Sequence, residues 1–194
     1  MLIIEESLFC KLYQEINKRL ADGKVIIAIE GGSASGKSTL SELLAEKYDC
    51  TIFHMDDFFL RPEQRTTERY QQIGGNIDKE RFLEEVLIPL KNNSKVCYHK
   101  FDCSTMKLGE EIEISPKNLV IIEGVYSMHP EFGRYFDISV FLDITEELQK
   151  SRILKRNCPQ FAKRFFEEWI PLENQYFSKT TIKERCDFVI EVKS

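Results

Sequence analysis

No uninterrupted apolar run in this chain approaches the ~20 residues that a membrane-crossing helix requires, so no membrane partner is expected. Basic charge is not in surplus either: Lys+Arg number 27 against 32 Asp+Glu, a formal net charge of -5. Proteins that grip a nucleic-acid backbone do so with an excess of lysine and arginine, so no nucleic-acid partner is expected. The six cysteines, Cys10, Cys50, Cys97, Cys103, Cys158 and Cys186, form no Cys-x-x-Cys pair, and the three histidines do not cluster with them. A structural zinc site and a disulfide framework are thereby both disfavoured, and reduced thiols fit best. The opening stretch MLIIEESLFCKLYQEINKRL carries acids where a secretory signal carries bases, which predicts no export and a cytoplasmic location. Internal repeats, low-complexity tracts and Ser/Gly linkers are absent, and 194 residues suit one domain, since single cores commonly reach ~100–200 residues.

What is present is an alternation of short apolar runs with helical patterns. Ile3, Ile4, Leu8, Leu12, Ile16 and Leu20 recur at three- and four-residue spacings and end at Ala21-Asp22-Gly23, which predicts an amphipathic helix packed outside the sheet. Val25 to Ile29 is continuous and β-branched, as in a strand covered on both faces. Cys50 to His54, Leu119 to Ile122, Ile138 to Leu142 and Phe188 to Val192 read alike, and Val96 to Phe101 and Glu111 to Ile114 read as small strands. Helices are expected at Ser38 to Tyr48, from Asp78 with Pro89 ending or bending it, at Thr145 to Asn157, and from Phe161 to about Tyr176 after an interruption at Pro159. The expected fold is α/β: a three-layer arrangement of a mainly parallel sheet with helices on both faces, and with active-site groups beyond the carboxyl ends of the strands. The aperiodic segment 57–78, with Pro62 and Gly74-Gly75, is expected to be a ligand-handling loop, and 145–165 a lid.

Directly after the first strand comes Gly31-Gly32-Ser33-Ala34-Ser35-Gly36-Lys37-Ser38, which satisfies G-x-x-x-x-G-K-[ST] with a strand before it and a helix after it. Glycines let the backbone aim several N–H groups at a phosphate, the helix that follows contributes its positive end, Lys37 reaches the β- and γ-phosphates, and the Ser38 hydroxyl suits magnesium. Thr39 extends this ATP-binding set. Ser33 stands at the middle glycine of G-x-G-x-x-G, which disfavours a dinucleotide site.

The remaining strand ends carry acids. Asp56 at the end of the second strand suits the orientation and deprotonation of an acceptor hydroxyl, with a helix cap or turn as its alternative and the better account of Asp57. Glu123 suits a magnesium-bound water beside Ser38, with turn chemistry before Gly124 as its alternative. Arg152 and Arg156 lie one helical turn apart, with Lys155 beside them and Arg164 further on. They form either a mobile basic flap that offsets transition-state charge or a solvated face paired with Glu146 and Glu147. His54, His99 and His129 are read as structural or surface groups. Neither an Asn-Lys-x-Asp nor a Leu-Ser-Gly-Gly motif is present, which speaks against a switch GTPase or an ATPase motor.

From Val25 to Val192 the chain resembles the uridine kinase family of P-loop kinases, which shades into nicotinamide riboside kinases, pantothenate kinases and phosphoribulokinases. The resemblance is carried by Glu30 to Ser38, Met55-Asp56-Asp57-Phe58-Phe59, Asn76-Ile77-Asp78, Phe101-Asp102, Ile122-Glu123-Gly124, and Phe141-Leu142-Asp143 followed by Arg152 and Arg156. It implies that Asp56 is the general base towards a ribose 5'-hydroxyl, that Asp78 grips the ribose 2'- and 3'-hydroxyls, that Glu123 holds the Walker B position, that Arg152 and Arg156 serve the lid, and that Phe59 and Phe101 line the acceptor pocket. The chain departs from the family where Cys103-Ser104-Thr105-Met106 stands in place of a base-reading histidine, where Gln149 replaces a lid arginine, and where Arg61, Arg65 and Arg69 crowd the loop. The expectation is an ATP- and Mg2+-dependent kinase acting on the 5'-hydroxyl of a nucleoside, uridine or cytidine favoured. The alternatives are another small hydroxyl substrate such as nicotinamide riboside, pantothenate or a sugar, or a nucleotide-binding regulatory module. Oligomeric state stays open, a homo-oligomer included.

Overall fold

The computed structural model describes residues 6–193. Helix α1 (Glu6–Asp22) buries Leu12 and Ile16 completely and half-buries Leu8 and Leu20, as its spacing predicts; Ile3 and Ile4 lie outside the described residues. Strand β1 (Val25–Gly31) is buried at every position. Helix α2 (Lys37–Lys47) leads to β2 (Cys50–His54); β5 (Leu119–Glu123), β6 (Ile138–Ile144) and β7 (Phe188–Val192) follow later in the chain. These five strands form one sheet in the order β2-β5-β1-β6-β7, and every pairing is parallel.

Alternation along β1 divides the core. Val25, Ile27 and Ile29 pack with Leu12, Ile16, Leu40 and Leu44 of α1 and α2, while Ile26 packs with Phe53, Phe58, Phe82 and Tyr176 on the other face. A sheet sandwiched in this way is the expected three-layer α/β fold. Among the described residues, no helix is long and apolar enough to cross a membrane.

Strands β3 (Val96–Asp102) and β4 (Lys107–Ile114) stand apart as a two-stranded antiparallel sheet. β4 is longer than its apolar pattern indicates, because the chain turns at Cys103–Met106, where Met106 has φ 58, and pairing resumes at once with Lys107 opposite Asp102.

Two helical segments differ from expectation for one reason. Helices α4 (Lys79–Phe82) and α5 (Ile88–Lys91) are joined by a π turn at Leu83–Leu87, and α7 (Pro159–Arg164) and α8 (Ile170–Thr180) by another at Phe165–Trp169. Pro89 and Pro171 sit just beyond these turns. A proline ring collides with the carbonyl four residues back, and the widened turn moves that carbonyl aside, so neither proline ends its helix. Pro159 is likewise the first residue of α7, where its missing N–H costs nothing, so it starts a helix. Between β2 and α4 the loop carries 3-10 turns at Met55–Phe58 and Pro62–Gln64 and the short α3 (Thr67–Tyr70). Helix α6 (Glu146–Arg156) opens on Thr145, whose hydroxyl accepts from Leu148 N–H.

Candidate active site

The sheet register brings the acids together. Glu123 lies level with Ile29 of β1 and with His54 of β2, so the phosphate loop, Glu123 and Asp56 all emerge at one edge. There they border a cleft of about 1400 Å³.

Loop geometry accounts for the glycines. Gly31 has φ 142 and a Cβ there would lie 2.6 Å from the Leu142 carbonyl oxygen; Gly36, capping α2, has φ 103. Ala34, Gly36, Lys37, Ser38 and Thr39 face the cleft, whereas Gly31, Gly32 and Ser35 form the backbone behind it. Lys37 is buried and donates to the carbonyls of Gly31 (2.9 Å) and Gly32 (3.0 Å). Ser38 Oγ donates to Glu123 Oε1 at 3.0 Å, and His54 Nδ1 meets the same oxygen at 2.6 Å. Burial alone would raise the Glu123 carboxyl, but His54, Lys37 and Ser38 outweigh it and hold it below the ordinary glutamate value. His54 is raised in turn, chiefly by that hydrogen bond. Histidine at 54 is thus the partner that orients Glu123, a role its sequence position does not announce.

Asp56 lies on the 3-10 turn after β2 and lines the cleft, with no hydrogen bond or ion pair among the described residues. Asp56 is exposed to the cleft, yet desolvation by the surrounding protein raises its carboxyl, with Lys37 opposing and Glu123 adding. Asp57 instead pairs with Lys100 Nζ at 3.1 Å. Phe59 also lines the cleft.

Two expected acceptor residues do not reach the cleft. Asp78 is 1% exposed, caps α4 by accepting from Arg81 N–H (3.2 Å), and faces Arg61 Nε (3.6 Å) and Arg81 Nε (3.5 Å) beside a separate cavity of about 610 Å³. Phe101 is buried in the β3–β4 hairpin, with the Arg65 guanidinium 5.6 Å from its ring centre. Of the Asn76-Ile77-Asp78 motif it is Asn76 and Ile77 that border the cleft, and the Asn76 side-chain oxygen is buried without a hydrogen-bond partner.

Helices α6 and α8 clamp the phosphate loop from the side. Arg152 Nη1 donates to the carbonyls of Ala34 (3.1 Å) and Ser35 (3.3 Å), and Gln149 Nε2 to that of Ser33 (2.9 Å). Glu173 of α8, 4% exposed, accepts from Ser33 N–H at 2.9 Å and from the Ser33 hydroxyl. Arg156 lines the cleft over the Phe165 ring, 5.5 Å from its centre. No local signal marks Glu173: it lies 140 positions from its partner.

A glycine-rich loop between strand and helix, the Ser38–Glu123 oxygen pair and an unpaired carboxylate facing one cleft are the arrangement of a P-loop phosphotransferase. The model of the phosphoribulokinase/uridine kinase family matches residues 26–162, and the chain belongs to that family. It is a phosphotransferase with a hydroxyl acceptor. The uridine kinase of Staphylococcus haemolyticus (strain JCSC1435) is 25% identical over 186 residues, covering 85% of this chain and 86% of the relative. That of Latilactobacillus sakei subsp. sakei (strain 23K) is 25% identical over 153 residues, covering 73% and 70%. Among solved structures, a possible uridine kinase from Bacillus stearothermophilus superposes with a TM-score of 0.63 at 23% identity, covering 92% of this chain and 98% of that one, a likeness of fold.

Proposed function

We propose that the protein is a cytoplasmic kinase of one domain that transfers the γ-phosphate of ATP to the 5'-hydroxyl of a nucleoside, with uridine or cytidine favoured. The observation that carries this is the unpaired Asp56 carboxylate in the same cleft as Lys37 and Ser38. Its raised proton affinity suits it to take the proton of the attacking hydroxyl. Lys37, now on the loop's own carbonyls, exchanges these for phosphate oxygens. The hydroxyl and carboxylate of Ser38 and Glu123 are hard oxygen donors that fit magnesium, whose remaining positions are usually filled by phosphate and water. Magnesium there supplies charge neutralisation on the phosphates when bound. Arg156 and the lid add positive charge and exclude water.

A different small hydroxyl acceptor is favoured by one observation: Cys103 and Met106 border the cleft, and Asp78 does not. The test is ADP formation against a panel of nucleosides, vitamins and sugars. Release dependent on uridine or cytidine supports the pyrimidine nucleoside, release with another compound alone transfers the chemistry to that acceptor, and ATP binding without release refutes transfer.

A further inference from the structure

Three arginines stand on the loop 57–78, and two are neutralised there. Arg69 holds Glu80 through both Nη atoms at 2.6 Å and reaches the Ile77 carbonyl at 2.8 Å. Arg61 faces Glu63 at 3.5 Å and Asp78 at 3.6 Å. Arg65 alone of the three borders the large cleft, and it forms no ion pair among the described residues. Its Nε donates to the Leu60 carbonyl at 3.0 Å and its guanidinium lies 5.6 Å from the Phe101 ring centre, so one end of the fork is anchored and its two Nη groups remain for a ligand.

The surroundings say which part of the cleft this is. Cys103, Met106 and Asp56 border the same cleft as Arg65, so the free guanidinium and the base face one space. Arg164, which also borders the cleft, is engaged by Glu168 at 3.2 Å and lies over Trp169, so of these two arginines it is Arg65 that forms no ion pair among the described residues. The thiol of Cys103 and thioether of Met106 are weak hydrogen-bonding groups. A planar guanidinium with its far nitrogens free matches a carboxylate or phosphate through two parallel N–H···O bonds, a match that a lysine does not offer.

We infer that Arg65 determines acceptor specificity, and that the acceptor bears an anionic group, a carboxylate or a phosphate, which Arg65 binds bidentately. This rests on the nucleoside 5'-kinase function proposed above and, within it, places nucleosides that carry an acidic substituent ahead of neutral uridine and cytidine. Charge-assisted hydrogen bonds of this kind give a preference of about 10- to 100-fold in kcat/KM over the neutral counterpart.

The test is ADP release by the full chain with three acceptors that share a free 5'-hydroxyl: uridine, orotidine with a carboxylate on the base, and uridine 3'-monophosphate with a phosphate on the ribose. Preference for orotidine over uridine identifies a carboxylate site, and preference for the 3'-monophosphate identifies a phosphate site. In either case Arg65→Met should bring the ratio to near one and Arg65→Lys should recover only part of it, with ATP binding retained as the check on folding. Uridine used as fast as, or faster than, both anionic acceptors overturns the inference and leaves the nucleoside kinase standing. A preference that survives Arg65→Met overturns the role of Arg65. No ADP from any of the three overturns the nucleoside acceptor and this inference with it.

Discussion

Glu173 offers the sharpest test of how the phosphate loop is held. Its carboxylate is buried and accepts from both the N–H and the hydroxyl of Ser33. Glu173→Ala removes two charge-assisted bonds and leaves both Ser33 donors facing a small void, in a place where an unsatisfied donor costs ~1–3 kcal/mol. The pair is not additive, because Ser33 is half-buried and water will reach part of the void, so the loss should be about 2–3 kcal/mol. For a domain of this size each kcal/mol lowers Tm by about 2–4 °C, so a fall of about 4–12 °C is expected in thermal unfolding. Glu173→Gln keeps one acceptor for the Ser33 amide and should fall less than half as far. Amide exchange at Ser33 should accelerate in the Ala variant before global unfolding does. A Glu173→Ala protein with unchanged Tm and unchanged Ser33 protection would refute the clamp.

Asp56→Asn should lower turnover by about 100-fold or more, the scale of general-base catalysis, while ATP still binds, as read from the fluorescence of Trp169, the chain's one tryptophan, which borders the cleft. The raised proton affinity of Asp56 sets the pH profile: kcat/KM should be full at higher pH and fall as pH drops through a value above the ordinary aspartate range. An acid limb at the ordinary aspartate value would contradict the raised proton affinity of that carboxyl. Glu30 is fully buried at the end of β1 and accepts from the N–H groups of Gly31, Tyr126 and Met128 and from the Tyr176 hydroxyl, yet burial outweighs these donors and raises it to about 7. Because the folded state holds this proton more tightly than the unfolded chain, the contribution is full below the unfolded value near 4.5 and is lost as pH rises to about 7. Urea unfolding should therefore show a decline on the order of 3 kcal/mol between pH 4.5 and pH 7 from this group, absent in Glu30→Gln.

The sheet and the phosphate loop are legible in the sequence because their determinants are local. A continuous β-branched run can be covered on both faces only inside a parallel sheet, and the left-handed turns at Gly31 and Gly36 need glycine where the pattern has it. Asp56 and Glu123 are legible because strand ends deliver side chains to one edge. Asp78 and Phe101 show the limit: the motif letters are present, but Arg61, Arg81 and Arg65 lie over them, and such pairings form between segments whose packing no spacing records. Pro89 and Pro159 are misread for a related reason, since position within the first turn, or a π turn upstream, decides whether a proline is tolerated. Gln149 and Glu173 bind the same residue, Ser33, from helices far along the chain, so only the folded lid reveals that they act together.

The order β2-β5-β1 has a consequence for what can vary in such a protein. Asp56, Glu123 and the phosphate loop hang from three adjacent strands, so their lateral separations are multiples of the ~4.8 Å strand spacing. The backbone ladder thus acts as a ruler between Asp56, Glu123 and the phosphate loop. Side chains in the helical layers can be exchanged without altering that ruler, whereas the loops beyond the strand ends are free to redraw the acceptor at little cost to the chemistry.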